Sequence, residues 1–89
     1  MNYLGRTIKR PLSEITDDEL VTSISSCSSV PDYSVSILLP APEEIPRLLD
    51  RVYGFLDGVD NLVDVVVNYH KNTVTFKNKS YIQVSSYES

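Results

Sequence analysis

The chain has 89 residues, enough for one domain with a modest core, and 42% of them are hydrophobic, as in an ordinary folded protein. Its net charge of -4 at pH 7 argues against nucleic acids as partners, because binding phosphates requires a basic surface. No apolar run approaches the about 20 residues that a membrane helix needs, so we expect no membrane partner. The lone Cys27 cannot form an internal disulfide, which favours a reducing, cytoplasmic setting.

The first half of the chain predicts a strand, a helix and a second strand. Residues 2–9 alternate as a strand that Pro11 ends. A helix begins after Thr16, because Glu19 follows it at the spacing of a capping box. The apolar stripe predicted for this helix consists of Leu20, Val21, Ile24 and Cys27. Residues 33–39 then alternate between apolar and small polar side chains, which predicts a strand with one buried face.

The broadest amphipathic pattern predicts a helix over residues 43–57. Its apolar face consists of Ile45, Leu48, Leu49, Val52, Phe55 and Leu56. Gly58 suits the position just after the helix. Gly54, inside the helix, costs about 1 kcal/mol relative to Ala. It marks either a close approach to a neighbour or simple tolerance.

The run 62–86 has the densest β-branched and aromatic content in the chain. Its apolar residues alternate with polar ones, and turns at 71–72 and 77–79 divide it into three strands of an antiparallel meander. The order β-α-β-α-β-β-β predicts one α+β domain over 1–89, with two helices on one face of a mainly antiparallel sheet. We also predict a homo-oligomer, because nothing in 81–86 protects an exposed sheet edge with proline or charge.

Motifs for catalysis are weak in this sequence. The three glycines do not have the spacing of a phosphate-binding loop, and one Cys and one His are too few for a typical zinc site, so we expect no cofactor or metal. Cys27 and His70 would be the candidates for a nucleophilic pair. Cys27 falls on the apolar stripe of a helix and His70 falls at a hairpin turn, so we predict a non-enzymatic protein. A small enzyme or enzyme subunit that uses His70 is the alternative.

The phrase NTVTFKNKSYI, residues 72–82, resembles a strand-turn-strand phrase in the ATPase domain of phage terminase large subunits. Lys79 stands where that phrase has Gly. The phosphate loop and the acidic metal-binding strand of that family are absent, so its ATPase activity does not carry over. The resemblance implies a phage-type accessory protein. Such proteins often act by binding, for example as inhibitors of a host defence system, and a structural or assembly component of a virion is a further alternative.

Basic residues near the two ends of the chain suggest where a ligand would bind. Lys77, Lys79 and Tyr81 surround the last turn, Arg6 lies in the first strand and Arg10 follows it. Tyrosine offers a flat surface for a base, and the cations attract an anion. We therefore predict a protein that binds a host protein or sequesters an anionic, nucleotide-like ligand, in the host cytoplasm if a phage encodes it.

Overall fold

The structure, a computed structural model, describes residues 5–57 and 65–87. In chain order the elements are β1 (Gly5–Lys9), α1 (Asp17–Ser29), β2 (Ser34–Leu39), α2 (Ile45–Asp57), β3 (Val66–Asn68), β4 (Thr73–Thr75) and β5 (Tyr81–Ser86). Short 3-10 turns over Leu12–Glu14 and Pro42–Glu44 precede the two helices. This order confirms the predicted one. The predictions for residues 2–4, Gly58 and 62–64 lie outside the described residues.

The five strands form one sheet in the order β1-β2-β5-β4-β3. β2 pairs in parallel with both β1 and β5, while β4 pairs antiparallel with both β5 and β3. The α+β class and the C-terminal meander are thus confirmed, and the sheet is mixed where we expected mainly antiparallel pairing. The parallel pairs arise because each helix carries the chain back to the end of the sheet where the preceding strand began.

The position of β5 contradicts the reason given for oligomerisation. We expected β5 to leave an exposed edge, but β2 and β4 pair with its two sides. The outer strands are β1 and β3. An argument for self-association from an unprotected edge of β5 is therefore wrong.

The core lies between the sheet and both helices. One face of the sheet is buried, and the register aligns Ile8, Ile37 and Val84 across three strands of it. The predicted apolar face of α2 is confirmed, because Leu48 and Leu49 have no exposed surface and Phe55 and Leu56 pack against the core. The connection from β1 to β2 and the connection from β2 to β3 run in the same direction across the sheet. Because connections between parallel strands share one handedness, both helices lie on the same face of the sheet.

Helix α1 begins as predicted but turns a different stripe inward. The capping box is present, since the Glu19 amide donates to Thr16 Oγ1 over 3.2 Å. Val21, predicted to be buried, is 44% exposed, and Ser23 is buried in its place. Positions 20, 23, 24 and 27 follow the i, i+3, i+4, i+7 spacing of one helix face. Ser23 is tolerated there because its hydroxyl donates to the Glu19 carbonyl over 2.8 Å.

Two residues of the β4–β5 turn, Asn78 and Ser80, hold the end of α1 and are called the latch below. Asn78 Nδ2 donates to the Cys27 carbonyl over 2.8 Å. The Ser80 hydroxyl donates to the Val30 carbonyl over 2.6 Å and accepts the Tyr33 amide over 3.0 Å. The last carbonyls of a helix have no partner within the helix, so the latch supplies what a capping glycine often provides.

Leu49→Ala tests whether the α2 face forms the core. Because Leu49 has no exposed surface, we expect the variant to lower the free energy of unfolding by about 2–5 kcal/mol. Val21→Ala, on the exposed side of α1, serves as the control and should change stability by less than about 0.5 kcal/mol. Urea unfolding followed by circular dichroism measures both values. Equal, small losses would place Leu49 outside the core.

Ser80→Ala tests the latch. The variant removes the partner of the partly buried Tyr33 amide and leaves the Val30 carbonyl with only the longer contact to Asn78 Nδ2, at 3.4 Å, so we expect a loss of about 1–3 kcal/mol in unfolding free energy. Ser85→Ala is the matched control, because Ser85 is only partly buried, and it should cost less than about 0.5 kcal/mol. The same urea titration compares them. If Ser80→Ala is as stable as Ser85→Ala, the latch contributes little to folding.

Candidate binding surface

The face of the sheet opposite the helices, called the open face below, is not covered by any of the described elements. Strand register shows which side chains share it. One row crosses all five strands and consists of Thr7, Ser36, Gln83, Thr73 and Asn68. A second row consists of Gly5, Ser34, Tyr81, Thr75 and Val66. A third row contains Lys9, Leu38 and Ser85.

The chemistry of the open face is unusual for a solvent-exposed surface. Hydroxyl and amide groups predominate, Lys9 is the one charged residue among the three rows, and Tyr81 and Val66 are exposed by 42% and 56%. Surfaces that serve solubility alone usually mix many charges of both signs. The centres of protein interfaces are instead depleted in charge and enriched in tyrosine. The open face shares the low charge of interface centres, although its serines are a type of residue that is depleted there.

Charge is divided between the two layers of the fold. Residues 5–9, 33–39 and 65–87, called the sheet layer, contain five bases and no acid. The bases are Arg6, Lys9, Lys71, Lys77 and Lys79. Residues 10–32 and 40–57, called the helix layer, contain nine acids and three arginines. Among the described residues, basic strands and turns are thus packed on acidic helices. Asp32 is an exception, because its amide donates to the Asn78 carbonyl of the β4–β5 turn over 3.3 Å.

The structure brings three of the predicted ligand residues together and places Arg6 and Arg10 apart from them. Lys77, Lys79 and Tyr81 lie together at the turn that enters β5, as predicted from their spacing. Arg6 is at the same end of the sheet, in the row of Val35 and Ile82, so its side chain leaves the sheet on the helix side. Arg10 lies beyond the opposite end of β1.

Arg10 is also engaged elsewhere. Its Nη1 donates to Glu19 Oε1 over 2.8 Å, and its Nη2 forms an ion pair with Glu19 Oε2. This guanidinium, together with Thr16, holds the pKa of the Glu19 carboxyl below its ordinary value. Asn78 and Ser80, which looked available for a ligand, are occupied by the latch. The structure thus leaves Lys77, Lys79 and Tyr81 as the predicted group that lies together.

A second tyrosine and lysine, which sequence reasoning missed, meet at the other end of the open face. The Lys9 ammonium lies 4.9 Å from the centroid of the Tyr87 ring. Tyr87 is held beyond β5 by its amide, which donates to the Leu39 carbonyl over 2.8 Å. The alternation that places Tyr81, Gln83 and Ser85 on the open face continues to Tyr87, so this pattern in the sequence could have predicted the position of Tyr87.

A cleft of about 630 Å³ lies where the connections after β1 and β2 meet the start of α2. Its charged lining residues are Glu43, Glu44, Arg47 and Arg51. Glu44 accepts the Leu12 amide over 2.8 Å, and Arg51 pairs with Asp17 over 2.5 Å. Charges of both signs line the cleft and partly neutralise each other, so it offers a simple anion a weaker field than the sheet layer does.

Cys27 and His70 do not meet. Cys27 is buried beside the start of β5, where its thiol contacts the Tyr81 carbonyl over 3.9 Å, and burial raises the pKa of this thiol to about 11. His70 is exposed in the turn after β3, at the other end of the sheet. A buried thiol with a raised pKa is a poor nucleophile.

Within residues 5–57 and 65–87, no three His, Cys, Asp or Glu side chains are grouped so that they could hold a metal ion. Over the same residues, neither helix has the length and apolar character needed to cross a membrane.

Arg10→Ala should raise the pKa of Glu19 toward its ordinary value, because the guanidinium is the largest cause of the lowered value. A carboxyl whose pKa is lowered on folding adds stability above its unfolded pKa, and this contribution disappears as the pH falls through the folded value. Arg10→Ala should therefore reduce the part of acid unfolding that Glu19 causes. NMR titration of the side-chain carboxyl measures the pKa, with Arg47→Ala as control. An unchanged value would assign the shift to Thr16.

The chain was compared with models of protein families, with curated proteins and with solved structures, and none of the three comparisons found a match.

Proposed function

We propose that this chain is a non-enzymatic binding protein that contacts an anionic partner through the open face of its sheet. The observation that carries the proposal is the division of charge, with five bases and no acid in the sheet layer. The uncharged, hydroxyl-rich centre of the open face supports it, because such groups cost less to desolvate than charged ones when the partner forms hydrogen bonds with them.

The net charge of -4 does not oppose this proposal. At physiological ionic strength, charges are screened over a Debye length of about 8 Å. The location of charges therefore matters as well as their sum. The charged residue within the three rows of the open face is Lys9, and Lys77 and Lys79 lie in the turn that enters β5.

The open face is too small to support a stable homodimer by itself. Five strands about 4.8 Å apart and up to six residues long, at about 3.3 Å per residue, present roughly 450 Å². A standard interface buries about 800 Å² on each partner. The homo-oligomer therefore stays a prediction, and any additional contact area for it would have to come from other surfaces, such as the outer strands β1 and β3.

The identity of the partner follows from the sequence-based expectations. A host protein with an acidic surface and a small nucleotide-like anion both suit a basic layer with exposed tyrosine. The phage-type origin, the inhibition of a host defence system and the cytoplasmic setting stay predictions. His70 lies in an exposed turn outside the open face, so the geometry favours binding over the alternative of an enzyme built on His70.

Retention on heparin resin at low salt and pH 7 tests the proposal. A protein with evenly spread charge and a net charge of -4 should pass through, whereas a basic sheet layer should retain this chain. Lys9→Glu and Lys79→Glu should each lower the salt concentration needed for elution. Arg47→Glu changes the net charge by the same amount from the helix layer and should have little effect, which makes it the matched control.

Two results would contradict the proposed function. Failure of the wild-type chain to bind the resin would show that the sheet layer does not act as a basic surface. An equal effect of Lys79→Glu and Arg47→Glu would show that net charge, and not its location, controls binding. Circular dichroism of each variant verifies that the fold is intact.

A further inference from the structure

Tyrosine and lysine occur together at both ends of the central strand. Tyr81 starts β5 and follows Lys79 by two residues, and Tyr87 lies just past the end of β5 under the Lys9 ammonium. Both tyrosines are 42% exposed. Because β-strand residues rise about 3.3 Å each, the two tyrosines are roughly 20 Å apart along the strand. One end of the open face thus has a tyrosine ring under a lysine ammonium, and the other has Tyr81 two residues after the exposed Lys79.

The surface between these two ends offers neutral hydrogen-bonding groups. Gln83 and Ser85 lie on β5, and Ser36 lies beside Gln83 on β2. Hydroxyl and amide groups can both donate and accept, so they suit the edges of bases and the 2′-hydroxyl of ribose. The open face is therefore equipped for groups that are polar but uncharged, between two positions suited to phosphates.

An acidic protein segment suits this arrangement less well. Carboxylates are bound best by the paired donors of arginine. The one arginine of the sheet layer, Arg6, leaves the sheet on the helix side, and no arginine occurs in the three rows of the open face. Lysines beside exposed aromatic rings are typical of proteins that bind single-stranded nucleic acid, where bases stack and cations contact the backbone.

We propose that the anionic partner is single-stranded RNA, bound along β5 with a base stacked on Tyr81 and phosphates near Lys79 and Lys9. This inference rests on the proposed function and names its partner. It also revises the expectation, made from net charge, that nucleic acid is not a partner. That expectation assumed one average charge for the whole surface, whereas the three described rows of the open face contain Lys9 and no acid.

Fluorescence anisotropy with a labelled oligouridine of about eight nucleotides tests the inference, since single-strand sites span about 4–16 nucleotides. We expect saturable binding at low salt that weakens as salt is added. Tyr81→Ala should weaken binding about tenfold, because one lost stacking contact is worth about that factor. Tyr81→Phe should keep most of the affinity. Tyr53→Ala, at an exposed tyrosine of the helix layer, is the matched control and should bind like the wild type.

The results separate this inference from the proposed function. Retention on heparin together with no binding of oligouridine overturns RNA as partner and leaves an anionic partner in place. Binding of oligouridine that Tyr81→Ala does not weaken also overturns the inference, as does equal or tighter binding of polyglutamate. Equal binding of an oligodeoxythymidine overturns the assignment to RNA. Failure to bind heparin removes the proposed function, and the inference with it.

Discussion

The hydrogen bonds between the β4–β5 turn and the end of α1 fix the arrangement of the sheet. Asn78 and Ser80 satisfy carbonyls at the end of α1, and Ser80 also accepts the Tyr33 amide just before β2. The next residue, Tyr81, donates its own amide to the Tyr33 carbonyl over 3.0 Å. A latch built this way sets β5 beside β2 from its first residue. This contact accompanies the parallel pairing of β5 with β2, which makes the sheet mixed and places β5 in its centre.

The central position of β5 has consequences for both faces of the sheet. On the buried face, Ile82 and Val84 join the residues of β2 in the core, which the helices cover. On the open face, Tyr81 and Gln83 stand in the middle of two rows and not at an edge. Ser80 is 1% exposed, yet its hydrogen bonds satisfy its hydroxyl, so the latch buries a polar group without leaving it unpaired. The same turn therefore supports the core and positions the candidate binding residues.

Acidic and basic residues are separated because most acids occur in the helices and their connections, whereas the lysines occur in the strands and turns. Asp17, Asp18 and Glu19 start α1, where they interact favourably with the positive end of the helix dipole, and Glu19 also completes a capping box. Glu43 and Glu44 lie in the short turn just before α2. The described strands hold lysine and hydroxyl residues and no acid. Helix stability thus accounts for part of the difference in charge between the helices and the strands.

Local patterns in the sequence determined the elements, because capping, periodicity and turn chemistry depend on residues within a few positions of each other. They predicted the order of helices and strands, the capping box at Thr16 and the apolar face of α2. They predicted wrongly that Val21 is buried. On this serine-rich helix, the stripe that includes Val21 and the stripe that includes Ser23 differ little in apolar character, and packing against the sheet decides which one is buried. The pairing of strands and the neighbours of Lys79 depend on contacts such as that of Asn78 with Cys27, which are 51 positions apart. No local pattern encodes contacts at that separation, so only the tertiary structure decided that β5 is central, that Arg10 lies apart from the hairpin, and that Lys9 meets Tyr87.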